Sequence, residues 1–431
     1  MEIEFVNHSS FVLSHDGVRI ICDPWVEGHA FNNGWSLLAE TSFGYDDFKG
    51  ITHIWFSHEH PDHFVPPNLF KIPKEIRENI TVLFQETTDR KVYEFCGKLN
   101  FQDVVELKQG IEYSLSEKLV ILCNAYSHGD SYALFKSEDL TILNLNDCIV
   151  DSEEKAAELQ REIGCVDILF TQFGYANKIG NSSDVFQRKE ASKKQLEQIN
   201  FQSIHLKPKK IIPFASFIYF CHEENRYMNE GMNTVHEANQ YISKLSAECV
   251  VLYPGDVWKV DAHWDNREPL EKWSQRYEMD KRDYIKSVSV SIEQLEEQAG
   301  LFADKMNIAY EKNKRELHKL KTIIYITDYG KSFEYTIKNR LIECAKKEVE
   351  CDISLNSESL HYVFKELWGG NTLFINARFQ IPKGGDYSRF RKFEGMAASL
   401  NHGKEFVFES DWLRLKSFIK KRMNMVKRKE P

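Results

Sequence analysis

The sequence lacks several patterns that would indicate a membrane, secreted or nucleic-acid-binding protein. No uninterrupted apolar run in its 431 residues approaches the roughly 18 residues of a membrane-spanning helix. The formal net charge is -9, so the positive surface that attracts nucleic acid is not indicated. The first residues show no basic segment followed by a long apolar one, which is the pattern of a signal peptide. These absences predict a cytoplasmic protein with no membrane span and no nucleic-acid partner.

Cysteine is present but forms no recognisable pattern. The nine cysteines are scattered singly without a Cys-x-x-Cys pair, which disfavours both a disulfide framework and a structural zinc site made of thiolates. The sequence also lacks the Cys-x-His and Cys-x-x-His pairs that hold a Rieske iron–sulfur cluster. Any metal chemistry is therefore expected from histidine and carboxylate side chains.

The most informative pattern present is the run His-Glu-His-Pro-Asp-His that begins at His58. It follows an apolar, β-prone stretch at residues 51–56, and residues two apart in an extended segment point the same way. His58 and His60 are therefore predicted to converge on one metal ion, with Asp62 and His63 turned toward a second. Such ligands suit zinc, iron or manganese. The alternative interpretation is a surface loop that happens to be rich in histidine and acid.

Further candidate ligands stand at the ends of predicted strands. His128, Asp147 and His222 each follow an apolar strand-like run, and a carboxylate at the position of Asp147 could bridge two cations. Each of these residues, taken alone, would more often be a capped turn or a hydrogen-bonded core group. His205, within a predicted helix, is the fallback ligand.

A second set of residues is predicted to surround the ligands. Ligating histidines usually donate their other ring N–H to a carboxylate or carbonyl, and His8, Asp23 and Asp130 are candidates for that role. Trp25 and Tyr175 are candidate pocket residues. An ordinary turn or cap explains the polar residues equally well, and aromatic residues in such positions are more often core.

The first part of the sequence predicts a layered α/β domain over residues 1–265. Strand-like runs alternate with helical ones, which fits two sheets with helices outside, an αββα sandwich. Strands are predicted at residues 2–13, 18–22, 51–56, 81–84, 119–122, 132–135, 141–145, 166–170, 211–217 and 249–253. Helices are predicted at residues 151–163, 189–206 and 234–245, the first of them capped by Asp151 and ended by Gly164.

The remainder predicts a linker and helix at residues 266–320, then a smaller C-terminal α/β module at residues 321–431. Its expected elements are a helix over residues 292–320, a hairpin over 322–336, a helix over 357–367, a break at Gly369 and Gly370, a strand over 372–380 and a closing helix from residue 411. The basic segment 416–429 is interpreted as a solvated helix face rather than a membrane or nucleic-acid contact.

The candidate residues and their flanks resemble a known enzyme superfamily. The order of histidines and aspartates from His58 onward is similar to the metallo-β-lactamase superfamily. Flanking motifs that begin at Asn7 (Asn-His-Ser-Ser-Phe), Asp23 (Asp-Pro-Trp) and Asn146 (Asn-Asp-Cys) look most like the CMP-N-acetylneuraminate hydroxylase group. That group is related to ascorbate-6-phosphate lactonases and N-acylphosphatidylethanolamine phospholipases.

The resemblance implies a metallo-β-lactamase-like sandwich that holds two divalent metal ions. The implied ligands are His58, His60 and His128 for one ion, Asp62, His63 and His222 for the other, and Asp147 as the bridge. Iron is favoured and zinc or manganese is the alternative. The C-terminal module would cover the substrate or join two chains in a homodimer.

Two reaction classes compete for this site. In the first, two irons activate dioxygen for hydroxylation of a small polar metabolite, with electrons from a separate reductase because no Rieske pattern is present. In the second, two zinc or manganese ions activate a water that attacks an ester, lactone or phosphodiester, and Asp62 or Asp147 steers it. The resemblance favours the oxygenase slightly. A structural metal in a binding protein is disfavoured, because closed structural zinc sites usually have four ligands, often cysteines.

Overall fold

A computed structural model describes residues 1–278 and 282–408, without the side chain of His128. The chain forms two compact units, and the first consists of Met1–Lys286 together with Phe374–Arg378. The second consists of Ser287–Leu373 and the chain from Phe379 onward. The predicted closing helix from residue 411 and the basic segment 416–429 lie outside the described residues.

The first unit contains strands and helices in alternation. Its strands are β1 (Glu2–Asn7), β2 (Ser10–His15), β3 (Val18–Cys22), β4 (Trp35–Leu37), β5 (His53–Phe56), β6 (Thr81–Gln85), β7 (Asp103–Leu107), β8 (Glu112–Ser114), β9 (Val120–Ala125), β10 (Ser131–Lys136), β11 (Thr141–Asn144), β12 (Ile168–Gln172), β13 (Lys210–Phe214), β14 (Ile218–Phe220), β15 (Glu248–Cys249) and β16 (Val257–Lys259). Its helices are α1 (Pro66–Lys71), α2 (Lys74–Arg77), α3 (Lys91–Gly97), α4 (Glu153–Ile163), α5 (Val185–Leu206), α6 (Val235–Ile242) and α7 (Arg267–Arg276).

Two seven-stranded sheets form the centre of this unit. One has the order β16-β1-β2-β3-β5-β6-β7, and the other has the order β15-β13-β12-β11-β10-β9-β8. In the first sheet β3, β5, β6 and β7 run parallel. In the second, β11, β12, β13 and β15 run parallel. Parallel strands need crossover connections, and the helices between these strands supply several of them.

Successive side chains of the central strands pack on opposite faces of their sheet, and both faces are apolar. In β6, Leu83 belongs to the core shared by both sheets, whereas Val82 and Phe84 pack in a separate cluster with apolar residues of α1 and α3. The shared core joins the sheets through contacts such as Phe11 stacked on Phe170, with 4.4 Å between ring centroids. Strands buried on both faces read as continuous apolar runs. The predicted αββα sandwich is confirmed.

Several element boundaries differ from those predicted. The single strand predicted at residues 2–13 is a hairpin of two strands, with His8 in its turn. Ser152, and not Asp151, caps α4 through the backbone N–H of Lys155, while Gly164 ends the helix as expected. The linker predicted after residue 265 instead contains α7, whose Trp273 is fully buried against the core.

The second unit is a five-stranded sheet with helices. Its elements are α8 (Ile292–Ala309), α9 (Lys314–Leu317), β17 (Lys321–Ile326), β18 (Lys331–Thr336), β19 (Arg340–Cys344), β20 (Ile353–Leu355), α10 (Ser357–Lys365), α11 (Gly369–Asn376), β21 (Phe379–Gln380) and α12 (Tyr387–Asn401), with sheet order β19-β18-β17-β20-β21. The last residues of α11, from Phe374, group with the first unit. None of the helices in the described ranges has the length and apolar content of a membrane span.

The strand predicted at residues 372–380 is wrong over most of its length. Gly369 and Gly370 begin helix α11 instead of breaking the chain, and only Phe379–Gln380 is a strand. Buried Thr372, Leu373 and Asn376 have helical spacing, and tertiary burial overrides the β preference of threonine and isoleucine here.

Candidate metal centre

Five of the seven predicted ligands, His58, His60, Asp62, His63 and Asp147, lie close together where strands of the two sheets end. His58 lies just after β5, and Asp147 lies just after β11. Two neighbouring residues have left-handed backbone at these strand ends: Asp23, which follows β3, has φ 40°, and Asn146 has φ 48°. Such conformations are costly for residues other than glycine and persist at sites where the surrounding structure imposes them.

Three groups of side chains have ligand atoms close enough to share a cation. Within each group these atoms all lie within 4.8 Å of one another. The groups are His58 with His60 and Asp130, His63 with Asp62 and His8, and His58 with His63 and Asp147. We call the first the His60 group and the second the His63 group. Asp147 faces both, because its carboxylate oxygens lie 3.8 Å from His58 Nε2 and 3.4 Å from His63 Nε2.

Asp23 sets the orientation of two histidines. Its Oδ2 accepts a hydrogen bond from His63 Nδ1 at 3.0 Å and another from Ser57 Oγ at 2.7 Å. Because the Ser57 hydroxyl donates to Asp23, its oxygen is available to accept from His58 Nδ1 at 2.9 Å. In its neutral form each imidazole therefore carries its proton on Nδ1 and turns the Nε2 lone pair inward. This arrangement is typical of ligating histidines and their outer partners.

His8 faces the centre but is protonated on the wrong nitrogen for a ligand. Its Nδ1 accepts a hydrogen bond from the backbone N–H of Phe217 at 3.1 Å. A backbone N–H can only donate, so the neutral ring carries its proton on Nε2, which lies 3.4 Å from Asp62 Oδ2. In its neutral form, His8 therefore presents an N–H rather than a lone pair toward the Asp62 carboxylate.

The described residues fit a pair of cations. His63 Nε2 and Asp62 Oδ1 are buried without a hydrogen-bond partner, and such orphaned polar atoms are costly. Asp23 and Asp62 are fully buried, and Asp130 and Asp147 lie beside them. Four carboxylates packed together need compensating positive charge. Two divalent cations at the two groups would supply this positive charge and would be coordinated by the buried atoms that lack hydrogen-bond partners.

The pKa values of these histidines and aspartates are shifted by burial and by the neighbouring charges. Burial alone would raise the pKa of Asp62, but the neighbouring imidazoles of His63 and His8 hold that pKa well below its usual range. Burial would lower the pKa of His63, but Asp62, Asp147 and Asp23 raise it well above the usual value. Burial, and then repulsion from Asp147, raises the pKa of Asp130 to about 8. Burial lowers the pKa of His58 and of His60.

Two predicted ligands lie apart from these groups. His222 Nδ1 accepts a hydrogen bond from the backbone N–H of Glu224 at 3.2 Å, and the ring belongs to none of the three groups. His205, on α5, lies 3.9 Å from Glu153 on α4 and likewise joins none of them. His128 lies in a short 3-10 helix, Ser127–Gly129, and its side chain is not among those described.

The predicted pocket aromatics are core residues. Trp25 and Tyr175 are buried in one apolar cluster with Phe31 and Trp35. Trp25 makes an edge contact with His8, with 6.1 Å between ring centroids. Tyr175 donates a hydrogen bond to the backbone carbonyl of Met228.

Sequence reasoning missed two glutamines that hold the centre together. Gln172, the last residue of β12, donates to Asp147 Oδ1 at 2.6 Å. Gln85, the last residue of β6, donates to the carbonyls of Ser57 at 3.1 Å and Gly129 at 2.6 Å, and so joins the two loops that carry His58 and Asp130. A polar residue at the end of an apolar strand was the signal available for both.

We expect Asp23→Asn to weaken metal binding about 10–100-fold, the usual effect of removing an outer partner of ligand histidines. Oδ2 of Asp23 accepts from both Ser57 Oγ and His63 Nδ1, while Oδ1 accepts from the Ser57 backbone N–H at 2.7 Å. An amide NH2 group at either position would face a donor, so asparagine cannot keep the whole arrangement. Titration against a competing chelator measures the change. Asp167→Asn is the matched control, because Asp167 accepts from the Thr141 N–H at 2.8 Å and belongs to none of the ligand groups. Equal affinities for the two variants would contradict the role of Asp23.

Comparisons with known proteins agree with this architecture. A family model described as a beta-lactamase superfamily domain matches residues 2–193. Residues 2–193 are thus similar to that superfamily domain. The matched range contains His8, Asp23, the run from His58 to His63, Asp130 and Asp147, but ends before His222.

Curated proteins that are similar to the chain at low identity include hydroxylases. The cytidine monophosphate-N-acetylneuraminic acid hydroxylase of Danio rerio is 23% identical over 285 residues, 62% of this chain and 47% of the relative. The Homo sapiens protein described as an inactive form of that hydroxylase is 22% identical over 261 residues, 57% of this chain and 51% of the relative. The chain thus spans about half the length of these relatives.

Solved structures with similarity to the chain include both reaction classes. CmlA, a diiron β-hydroxylase from Streptomyces venezuelae, has a TM-score of 0.43 and 17% identity, covering 60% of this chain and 54% of its own. An isothiocyanate hydrolase from Delia radicum gut bacteria has a TM-score of 0.43 and 14% identity, covering 61% of this chain and 100% of its own.

Proposed function

We propose that the protein is a dinuclear iron oxygenase that hydroxylates a small polar metabolite. The observation that carries the proposal is the composition of the His60 group, which joins two histidines to one carboxylate, Asp130. Two histidines and one carboxylate with open positions are the usual ligand set of non-haem iron oxygenases. The curated relatives named as hydroxylases support the same class.

The proposed ligands form two sets joined by a bridge. His58, His60 and Asp130 would hold one iron, and His128 is a further candidate ligand. Asp62 and His63 would hold the other iron, and Asp147, which faces both groups, would contribute to both. His222, the ligand implied by the resemblance, has no role at either iron in this proposal, because it lies outside the ligand groups.

The chain's own residues prepare the site for this chemistry. Bound iron supplies the activation of dioxygen that protein side chains cannot provide. Asp23 fixes the tautomers of His58 (through Ser57) and of His63, so that both lone pairs face inward before metal arrives. Gln172 fixes the Asp147 carboxylate by donating to one of its oxygens. Electrons come from a separate reductase protein in this proposal.

A metal-dependent hydrolase is the second candidate. The match to a beta-lactamase superfamily domain favours it, as does the position of Asp62 and Asp147, each with an oxygen 3.4 Å from His63 Nε2. Either carboxylate could accept the proton of a water that attacks an ester, lactone or phosphodiester, with zinc or manganese lowering the pKa of that water. Activity of the zinc-loaded protein on such substrates, without dioxygen, would establish this class.

Asp130→His tests the oxygenase proposal. The change converts the His60 group to three imidazoles, a set typical of zinc enzymes. We expect the variant to retain metal but to lose about 10-fold or more of the dioxygen consumption of the reduced, iron-loaded protein, since a single catalytic group typically contributes at least that much. An oxygen electrode with a chemical reductant makes the measurement.

Asp139→His is the matched control for this test, because Asp139 is an exposed carboxylate between β10 and β11. It should consume dioxygen as the unmodified protein does. If Asp130→His and Asp139→His consume dioxygen at the same rate, Asp130 has no role at the iron and the proposal loses its main support.

A further inference from the structure

A left-handed turn beside the metal centre is held by residues from far along the chain. Phe31, Asn32 and Asn33 have φ values of 51°, 53° and 57°. Left-handed backbone is unfavourable for residues with a Cβ, and most of all as a run. Asparagine tolerates it better than phenylalanine does. Three consecutive residues keep this conformation only where their surroundings impose it.

The carbonyl groups of the turn show what imposes it. The Phe31 carbonyl accepts a hydrogen bond from the Asn376 side-chain amide at 3.0 Å. The Asn32 carbonyl accepts from the Arg378 guanidinium at 2.9 Å. The Gly34 carbonyl accepts at 2.9 Å from the Asn225 side-chain amide. Two of these three donors therefore come from the segment Phe374–Arg378, which groups with the first unit.

Further hydrogen bonds and close packing hold these donor side chains in position. The same Asn225 amide donates to the Asn376 carbonyl at 2.7 Å. Arg378 is fully buried and its Nε donates to Glu224 at 2.9 Å. Gly34 packs so tightly against the segment that a Cβ on it would lie 2.3 Å from the Asn376 Cβ. The turn and the segment thus fit each other at close range.

The turn directs one aromatic ring at a metal-binding residue. Phe31 makes an edge contact with the His60 imidazole, with 5.8 Å between ring centroids, and packs at 4.6 Å on Trp35. The other inward-facing imidazoles have hydrogen-bonded orienters, Ser57 for His58 and Asp23 for His63. Among the described side chains, the hydrogen-bond partner of the His60 ring is His58, so Phe31 is the outer contact that limits its rotation.

We propose that Arg378 and Asn376 are positioning residues for His60, acting through the left-handed turn and Phe31. They touch neither metal nor substrate. Their effect is to fix the orientation of His60, whose ring, among the described side chains, hydrogen-bonds to another candidate ligand, His58, and not to an outer residue. The inference rests on the proposed metal site, and it adds a contribution from residues that lie far outside the matched family range, 2–193.

Cobalt(II) substitution of the full chain tests this role, because its visible spectrum reports ligand geometry independently of activity. We expect Arg378→Ala and Asn376→Ala to change the cobalt spectrum. They should also raise the dissociation constant of cobalt at the His60 group about 10–100-fold, as the loss of an outer partner of a ligand typically does. Phe31→Leu should produce the same spectral change while Asn376 and Arg378 remain in place. This variant provides the test if the other two fold poorly. Arg378→Lys keeps the positive charge and should retain part of the cobalt affinity and spectrum of the unmodified protein.

Arg340→Ala is the matched control, because Arg340 also donates to a carbonyl, Gly300 at 2.8 Å, and to a carboxylate, Asp304 at 2.7 Å. It should leave the spectrum unchanged. Arg378→Ala and Phe31→Leu proteins that unfold at lower temperature but keep the unmodified cobalt spectrum and affinity would overturn the positioning role. Failure of the unmodified protein to bind cobalt would instead overturn the metal site itself and this inference with it.

Discussion

Replacing Asp147 with alanine is expected to abolish activity and to remove most of the bound metal, while the fold is retained. The carboxylate faces His58 and His63 at once, so its loss weakens both proposed ion sites. The remaining histidines would still face each other in a buried space without the bridging charge. Elemental analysis of the purified variant, with circular dichroism as the test of folding, measures the outcome.

His60→Ala should remove less of the bound metal than Asp147→Ala does, because His60 belongs to the His60 group alone. It is expected to empty that site and to leave the His63 group partly loaded, with activity abolished. The comparison of the two variants therefore distinguishes a bridging ligand from a ligand to one ion.

Two histidines outside the ligand groups are controls for this experiment. His205 lies on α5 beside Glu153, and His361 lies on α10 in the second unit. His205→Ala and His361→Ala should change neither metal content nor activity. Full metal retention in folded Asp147→Ala and His60→Ala proteins would refute the ligand assignment.

Phe170→Ala is expected to lower the free energy of unfolding by about 3–5 kcal/mol, the usual cost of removing a buried phenylalanine ring. Phe170 is fully buried on β12. Its ring stacks on Phe11 of the opposite sheet and meets Phe214 edge-on at 5.0 Å. The change would leave a cavity at the contact between the two sheets, which close packing cannot refill. Urea unfolding of the metal-free chain, followed by circular dichroism, measures the difference.

Phe186→Ala is the matched control for the core experiment, because Phe186 is 76% exposed on α5. Exposed substitutions usually change stability by less than about 0.5 kcal/mol. If Phe170→Ala costs as little as Phe186→Ala, the two sheets do not share the tightly packed core described above.

The sequence predicted the parts of the site that depend on local pattern. The spacing of His58, His60 and His63 after a β-prone run was sufficient to place their side chains together. The position of Asp147 at a strand end was also informative, but β11 and β5 belong to different sheets, so its approach to the histidines depends on how the two sheets pack. The alternation of strand-like runs with helical ones predicted the αββα sandwich.

The rest depends on contacts between residues distant in sequence. Asp130 and His128 stand two positions apart after the same strand, and nothing local indicates which of them faces His60. His222 follows an apolar run as the other candidates do, but its ring lies outside the ligand groups, and its Nδ1 accepts a hydrogen bond from the Glu224 backbone. The left-handed turn at Phe31 requires donors from Asn376 and Arg378, more than three hundred residues later.

The metal content of protein expressed with both iron and zinc available tests the central claim most directly. We predict about two irons per chain, as a dinuclear site requires, with a visible spectrum that changes when the reduced protein meets air. About two zincs per chain, with a colourless protein indifferent to air, would contradict the oxygenase and leave the hydrolase as the function of this site.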